Sequence, residues 1–154
     1  MNKLKSYNFL SKGFSLVEML IVVAILAILV SMFVSSFSNA GGSQALDTSV
    51  ISTISVLNGA KSSAVSSKDN SNYGVRIFSN KLVSFKNNYG TENQEVTISN
   101  LVTISTSTGI GSDIVFNKVS GSTNASGTIT ITVSNDSSKN STIRIYSTGI
   151  IEKN

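Results

Sequence analysis

Residues 12–34 read KGFSLVEMLIVVAILAILVSMFV, and this stretch decides the architecture of the chain. Between Phe14 and Val34 the only charged side chain is that of Glu18. A helix of roughly twenty apolar residues is long enough to cross a hydrocarbon core about 30 Å thick. The stretch therefore predicts one membrane-spanning helix near the amino terminus.

Two other interpretations of the apolar stretch fit the sequence less well. A helix that is apolar on every side is a core helix only inside a larger protein than this chain forms. A secretory signal has an apolar region of about 7 to 15 residues and small residues after it, whereas here the small residues come first. Lys3, Lys5 and Lys12 precede the stretch without any acidic residue. By the positive-inside rule, this basic leader is expected in the cytoplasm.

The junction between leader and apolar stretch carries a recognisable motif. Residues 12–18, KGFSLVE, resemble the prepilin leader and cleavage motif of type IV pilins and type II secretion pseudopilins. The resemblance implies that a membrane aspartyl peptidase, the prepilin peptidase, cuts after Gly13 and that the new amino-terminal residue, Phe14, is N-methylated. It also implies that residues 1–13 are a cleaved leader and residues 14–37 a transmembrane and assembly helix.

Glu18 is an unusual residue for its position, because a carboxylate near the end of a membrane span costs a few kcal/mol unless it is neutralised or paired. One interpretation is a side chain that only reaches the headgroup region. The resemblance implies another, in which Glu18 meets the amino terminus of a neighbouring subunit. A charge pair in a medium of low dielectric constant would fix the axial register of packed helices.

The composition excludes most kinds of active site. The chain contains no Cys and no His, so it has no thiol nucleophile, no imidazole base and no ligand set for zinc, copper or haem. Its acidic residues are scattered and do not form a calcium-loop pattern. We therefore expect neither enzymatic activity nor a metal site nor a cofactor.

A second helix is predicted after a flexible junction. Residues 35–43, SSFSNAGGS, should weaken or bend the helix at the glycine pair Gly41-Gly42. Apolar residues then recur every three to four positions, which predicts an amphipathic helix over residues 38–66. The positions of this stripe are Leu46, Val50, Ile54, Leu57, Ala60 and Ala64.

From Tyr73 onward the apolar residues alternate with polar ones, the period of half-buried β-strands. One hairpin is predicted around Ser79-Asn80 and another around a polar loop. The β-rich segments are 75–77, 82–85, 96–105, 114–116, 128–133, 142–146 and 149–151. The predicted fold class is α+β, with a long N-terminal helix packed on an antiparallel β-sheet and residues 67–154 forming the β-rich globular domain.

This second part of the chain is similar, more diffusely, to the minor pseudopilins and minor pilins of the GspH/FimT group. Three features carry the similarity: residues 60–64 (AKSSA), the glycines of residues 116–133, and residues 144–151 (RIYSTGII). Many major pilins carry a helix-kinking Pro or a C-terminal Cys pair, and this chain has neither. The resemblance therefore favours a minor subunit over a major one.

The first predicted hairpin is the one place where basic and aromatic residues interleave. Arg76, Lys81 and Lys86 alternate there with Tyr and Phe residues. One interpretation is a site for single-stranded DNA, which aromatic rings bind by stacking and cations by phosphate contact. The more common arrangement is a hairpin with aromatic rings toward the core and cations toward water. Removing the three leader lysines leaves nine basic residues against 8 acidic ones, so the mature chain is nearly neutral. DNA binding is accordingly the less favoured alternative.

These observations together predict a non-enzymatic minor pilin or pseudopilin of a type IV pilus or type II secretion filament. Its expected partners are the prepilin peptidase, other pilin or pseudopilin subunits and the cytoplasmic membrane, with the globular domain outside the cytoplasm. The alternative is a DNA-binding minor pilin of a DNA-uptake pilus, with Arg76, Lys81 and Lys86 as candidate nucleic-acid contacts.

Overall fold

The computed structural model of the chain describes residues 13–90 and 94–154, except for the side chains of residues 33–40. Most of the predicted leader, with Lys3, Lys5 and Lys12, lies outside the described residues. The chain divides into two compact units, residues 1–38 and residues 39–154. The boundaries predicted for leader, membrane helix, amphipathic helix and globular domain stay predictions.

One helix, α1 (Leu16–Val65), contributes to both units and is 50 residues long. The backbone is helical throughout residues 35–43, where the sequence predicts a weakened or bent helix. Within the second unit, α1 buries a stripe at three- and four-residue intervals, as predicted. Of the predicted members, Val50, Leu57, Ala60 and Ala64 are buried, whereas Leu46 and Ile54 are only partly buried against the core. Thr53, which the prediction did not include, is fully buried. Because i, i+3 and i+4 positions share one helix face, this stripe packs on the β-rich core.

The helix ends where the sequence changes to turn-forming residues. Ser67 has a left-handed backbone (φ 51°), and a short 3-10 turn, Lys68–Asn70, follows it. Polar residues such as Asp and Asn tolerate this conformation better than β-branched ones. The helix ends at Val65, one residue before the end predicted near Ser66.

The first sheet contains the predicted hairpin. It is formed by β1 (Tyr73–Ile77), β2 (Lys81–Lys86), β3 (Gln94–Thr97) and β5 (Asp113–Phe116), in the order β3-β2-β1-β5. All of its pairings are antiparallel. Ser79 and Asn80 make the turn between β1 and β2, which confirms that prediction.

The second sheet was not anticipated as a separate one. It is formed by β4 (Val102–Thr106), β6 (Gly127–Val133), β7 (Asp136–Ile145) and β8 (Ile151–Lys153), in the order β4-β6-β7-β8. The predicted β-rich segment 96–105 is divided by a turn in which the Val102 N–H donates to the Ser99 carbonyl (3.2 Å). Its first half pairs with β2 and its second half with β6, so the two halves belong to different sheets.

The second hairpin also differs from the prediction. The expected polar loop is reduced to a turn at Ser134 and Asn135, and β7 begins at Asp136. The Asp136 carboxylate accepts hydrogen bonds from the Ser138 N–H (3.2 Å) and hydroxyl (2.5 Å), and a register shift lies between Thr132 and Val133. The polar residues expected in a loop thus belong to β7, and of residues 136–140 only Asp136 and Asn140 pair with β6.

A single apolar core lies between α1 and the two sheets in the second unit. Its fully buried members include Leu57 of α1, Leu82 and Phe116 of the first sheet, and Ile131 and Ile143 of the second. Burying one such side chain contributes about 1.5–3 kcal/mol. The α+β prediction, a long N-terminal helix packed on antiparallel β-structure, is confirmed.

Candidate functional site

Gly13 and Phe14, the predicted cleavage and methylation residues, are both exposed. A Cβ built on Gly13 would meet no atom within 4 Å among the described residues. Among the described residues, therefore, no packing contact requires glycine at position 13. A requirement for glycine at this position would have to come from a molecule that acts on the chain.

Glu18 lies in the first turn of α1, which the sequence pattern explains. Ser15 precedes the helix, and its Oγ accepts a hydrogen bond from the Val17 N–H (3.3 Å). Ser at the cap with Glu three residues later is the capping-box pattern. A carboxylate in the first turn is also stabilised by the helix dipole. Glu18 thus occupies the acidic position of a capping-box sequence, in the first turn of α1.

The described part of the apolar stretch is exposed on all sides. Its large apolar side chains, from Leu16 to Met32, are between 43% and 80% exposed. A contiguous apolar surface of this size normally marks a protein or membrane contact.

Across the described residues, no helical stretch is both long and apolar enough to span a membrane.

The predicted nucleic-acid contacts lie on the first hairpin, and each of the three cations is paired with a carboxylate. Arg76 of β1 makes a two-pronged pair with Asp113 of β5, with distances of 2.5 Å from Nε to Oδ1 and 2.7 Å from Nη2 to Oδ2. The guanidinium also stacks on the ring of Tyr89, 3.8 Å from the centroid. The hydrogen bond to Asp113 raises the pKa of Arg76 further above its ordinary value.

The two lysines of this hairpin are paired with other acids. The Lys81 ammonium lies 3.0 Å from Glu95 Oε1, and the Lys86 ammonium lies 3.2 Å from Asp69 Oδ2. The hydrogen bond from Lys86, and a second one from Tyr73, lower the pKa of the Asp69 carboxyl. A phosphate would therefore have to displace a carboxylate at each of the three cations, which weakens nucleic-acid binding.

A groove of about 310 Å³ opens between α1 and the first sheet. Its apolar wall includes Val56 and Phe85, and its polar wall includes Asp69, Tyr73 and Lys86. Gly59 of α1 also lines it, and a Cβ built on Gly59 would meet no atom within 4 Å. The sequence did not predict this groove, because its lining residues come from α1, the turn after it and the first sheet, which are separate in sequence.

Two kinds of comparison with known proteins give matches: one by sequence near the amino terminus and one by fold. Residues 9–34 match the family model of the prokaryotic N-terminal methylation motif. No curated protein matches the chain in sequence. The fold is similar to crystal structures of the type IV minor pilin FimU from Pseudomonas aeruginosa PAO1 and of the minor pseudopilin EpsH from the type 2 secretion system of Vibrio cholerae.

The similarity to these two structures is one of fold, at low sequence identity. For FimU the TM-score is 0.59 at 14% identity, covering 71% of this chain and 92% of FimU. For EpsH it is 0.57 at 14% identity, covering 71% of this chain and 95% of EpsH.

The chain combines an N-terminal methylation motif with a pilin-like fold. The motif covers the junction with Gly13, Phe14 and Glu18, and the pilin fold is shared with proteins that are named minor subunits of two different machines. The predicted resemblance to the type IV pilin and pseudopilin superfamily is confirmed at this level. None of the comparisons favours the DNA-uptake alternative.

Proposed function

We propose that this protein is a minor pilin or pseudopilin, a structural subunit of a type IV pilus or of a type II secretion filament. The observation that carries the proposal is the apolar surface of residues 16–32, which is exposed on every side and lies within the matched methylation motif, residues 9–34. Such a surface needs a cover of lipid or of neighbouring helices.

In the proposed mechanism, lipid surrounds the apolar helix before assembly, and the helices of neighbouring subunits surround it afterwards. Before assembly, residues 14–34 lie in the cytoplasmic membrane with the globular domain outside the cytoplasm. During assembly, lipid is exchanged for the helices of neighbouring subunits. Because one apolar environment replaces another, little free energy is needed to transfer the apolar side chains, and packing between helices supplies the driving force.

Glu18 has the proposed assembly role. Its position in the first turn of α1 places a carboxylate beside the helix end that becomes the new amino terminus after cleavage at Gly13. The amino group of a neighbouring subunit's Phe14 would pair with this carboxylate. In a medium of low dielectric constant, leaving either the carboxylate or the amino group without its partner costs free energy. The pair therefore favours the one axial register in which both charges meet.

The proposed partners are the prepilin peptidase, other pilin or pseudopilin subunits and the membrane, and the proposed role is non-enzymatic. FimU and EpsH, whose fold the chain shares, are named as a minor pilin and a minor pseudopilin.

The proposal is tested in a host with and without its prepilin peptidase. With the peptidase, the processed chain should be recovered both from membranes and from sheared filaments, or from overproduced pseudopilus fibres. Without the peptidase, the full-length chain should remain in the membrane and be absent from fibres. Recovery of equal amounts in fibres from both hosts would contradict the proposed function.

A further inference from the structure

The groove between α1 and the first sheet has an apolar floor with room for a further side chain. Its volume of about 310 Å³ lies at the lower end of the roughly 300–1,000 Å³ typical of ligand sites. Val56 and Ala60, one turn apart on the same face of α1, form part of the floor. Gly59 lies beside them, and a Cβ built there would meet no described atom within 4 Å. The space above Gly59 therefore suits an apolar side chain that another molecule supplies.

Three polar groups on the walls of the groove have no partner among the described residues. The Ser63 hydroxyl and the side-chain amide of Gln94 make no hydrogen bond to that part of the chain. The Lys68 ammonium, in the exposed turn after α1, forms no ion pair with any described residue. Lys86 also lines the groove, but it is paired with Asp69. The groove therefore offers hydrogen bonds to a ligand, and its lining leaves one positive charge unbalanced.

One wall of the groove belongs to the edge strand of the first sheet. Gln94, which lines the groove, is the first residue of β3. In the order β3-β2-β1-β5, β3 lies at one end of the described sheet and pairs there with β2 alone. The backbone groups of a strand alternate between its two sides, so about half of those of β3 face away from β2. Such an edge can pair with an extended segment of another chain.

We propose that the groove and the edge of β3 bind an extended acidic segment of a different pilin or pseudopilin subunit. The segment pairs with β3 through its backbone, places an aliphatic side chain over Gly59 and brings a carboxylate to Lys68. In this mode of recognition, backbone pairing supplies affinity and pockets for side chains supply specificity. The inference rests on the proposed function, since a minor subunit needs contacts with the other subunits of its fibre.

A carbodiimide tests the contact at Lys68, because this reagent joins an ammonium group to a carboxylate that touches it. Fibres that contain the processed chain are treated with the reagent, and the cross-linked peptides are sequenced by mass spectrometry. We expect Lys68 to be joined to an Asp or Glu of a different subunit that has its own N-terminal methylation motif. An aliphatic residue should lie two positions from that acid, because alternate side chains of a strand share one face. Links from Lys68 only within the chain, or only to a second copy of it, would overturn the proposed contact.

Filling the groove tests its apolar floor. Gly59→Met adds a side chain where a Cβ meets no described atom within 4 Å, so the fold should be retained. Asn58→Met is the matched control, because Asn58 is exposed on the same turn of α1 and does not line the groove. We expect Gly59→Met to lower the yield of the Lys68 link at least tenfold and Asn58→Met to change it less than twofold, with both variants folded by circular dichroism. Equal yields in the two variants would contradict binding in the groove.

Substitutions of Lys68 supply a second readout that leaves the floor of the groove intact. Lys68→Glu should lower the amount of the chain retained in fibres severalfold. Lys68→Arg should keep that amount and abolish the cross-link, since a guanidinium keeps the charge but does not react with the activated carboxylate. If Lys68→Glu is retained at the wild-type level, the contact is wrong. Fibres that contain the wild-type chain without a Lys68 link to another subunit refute the contact and leave the proposed function standing. A chain that is never found in fibres refutes both.

Discussion

A substitution at Gly13 tests whether this glycine is needed for folding or for cleavage by a processing enzyme. It is exposed, and no described atom lies within 4 Å of the place a Cβ would take. Gly13→Leu should therefore leave the protein folded and inserted but uncleaved, and intact-mass spectrometry of membranes should find the full-length chain. Gly41→Ala is the matched control, since Gly41 also has open space around it and lies outside the motif. A mature chain beginning at methylated Phe14, formed from Gly13→Leu at the normal yield, would contradict the predicted cleavage site.

Two roles of Glu18 can be distinguished by experiment: a stabilising charge in the first turn of α1 and the proposed pairing between subunits. Glu18→Ala removes the charge in the first turn and lowers the cost of membrane insertion, so anchoring should be normal and co-purification with fibres strongly reduced. Ser15→Ala is the matched control, because it removes the cap to the Val17 N–H, worth about 0.5–2 kcal/mol, and keeps the carboxylate. If the two variants are equally defective, Glu18 acts only through the helix end. If Glu18→Ala enters fibres at the wild-type level, the assembly role is wrong.

At the scale of elements, local periodicity predicted helices and hairpins but not sheet membership. The stripe from Val50 to Ala64 and the turn at Ser79-Asn80 follow from spacing and turn chemistry within a few residues. The division into two sheets depends on which distant strand pairs with β4. The register shift in β7, where only Asp136 and Asn140 of residues 136–140 pair with β6, likewise depends on tertiary contacts. The motif residues could be found from sequence because they are contiguous, whereas the ion pair between Arg76 and Asp113 joins separate strands.

Gly59 lies inside α1, where glycine is less favourable than alanine. Replacing it tests the stability of this helix. Gly59→Ala should stabilise the unit of residues 39–154 by about 1 kcal/mol, because alanine restricts the unfolded chain and the added Cβ meets no atom within 4 Å. The matched control is Gly42→Ala, where the Cβ would lie 3.1 Å from a methyl group of Val133. Urea denaturation followed by circular dichroism should show a gain for Gly59→Ala and a smaller gain or a loss for Gly42→Ala. Destabilisation by Gly59→Ala would mean that the open space is not free in the folded unit.

At the scale of the whole molecule, charge decides between a structural subunit and a DNA receptor. The full chain has 12 basic and 8 acidic residues, but Lys3, Lys5 and Lys12 leave with the predicted leader. The hairpin cations have carboxylate partners, so they offer little unbalanced charge to a phosphate backbone. Both observations favour the structural subunit.

The final prediction follows from this balance. The unit of residues 39–154 should bind single-stranded DNA with a Kd no tighter than about 10⁻⁶ M at physiological salt, the non-specific range. Lys81→Ala with Lys86→Ala tests the hairpin, while Arg76 is kept because its removal would leave the partly buried Asp113 without its partner. Lys139→Ala with Lys153→Ala removes the same charge elsewhere. Each phosphate contact that is lost should lower the slope of log affinity against log salt by about one unit. Submicromolar binding that the hairpin variant loses and the control variant keeps would replace the structural subunit with a DNA-uptake receptor, because only site-specific phosphate contacts distinguish two variants of equal net charge.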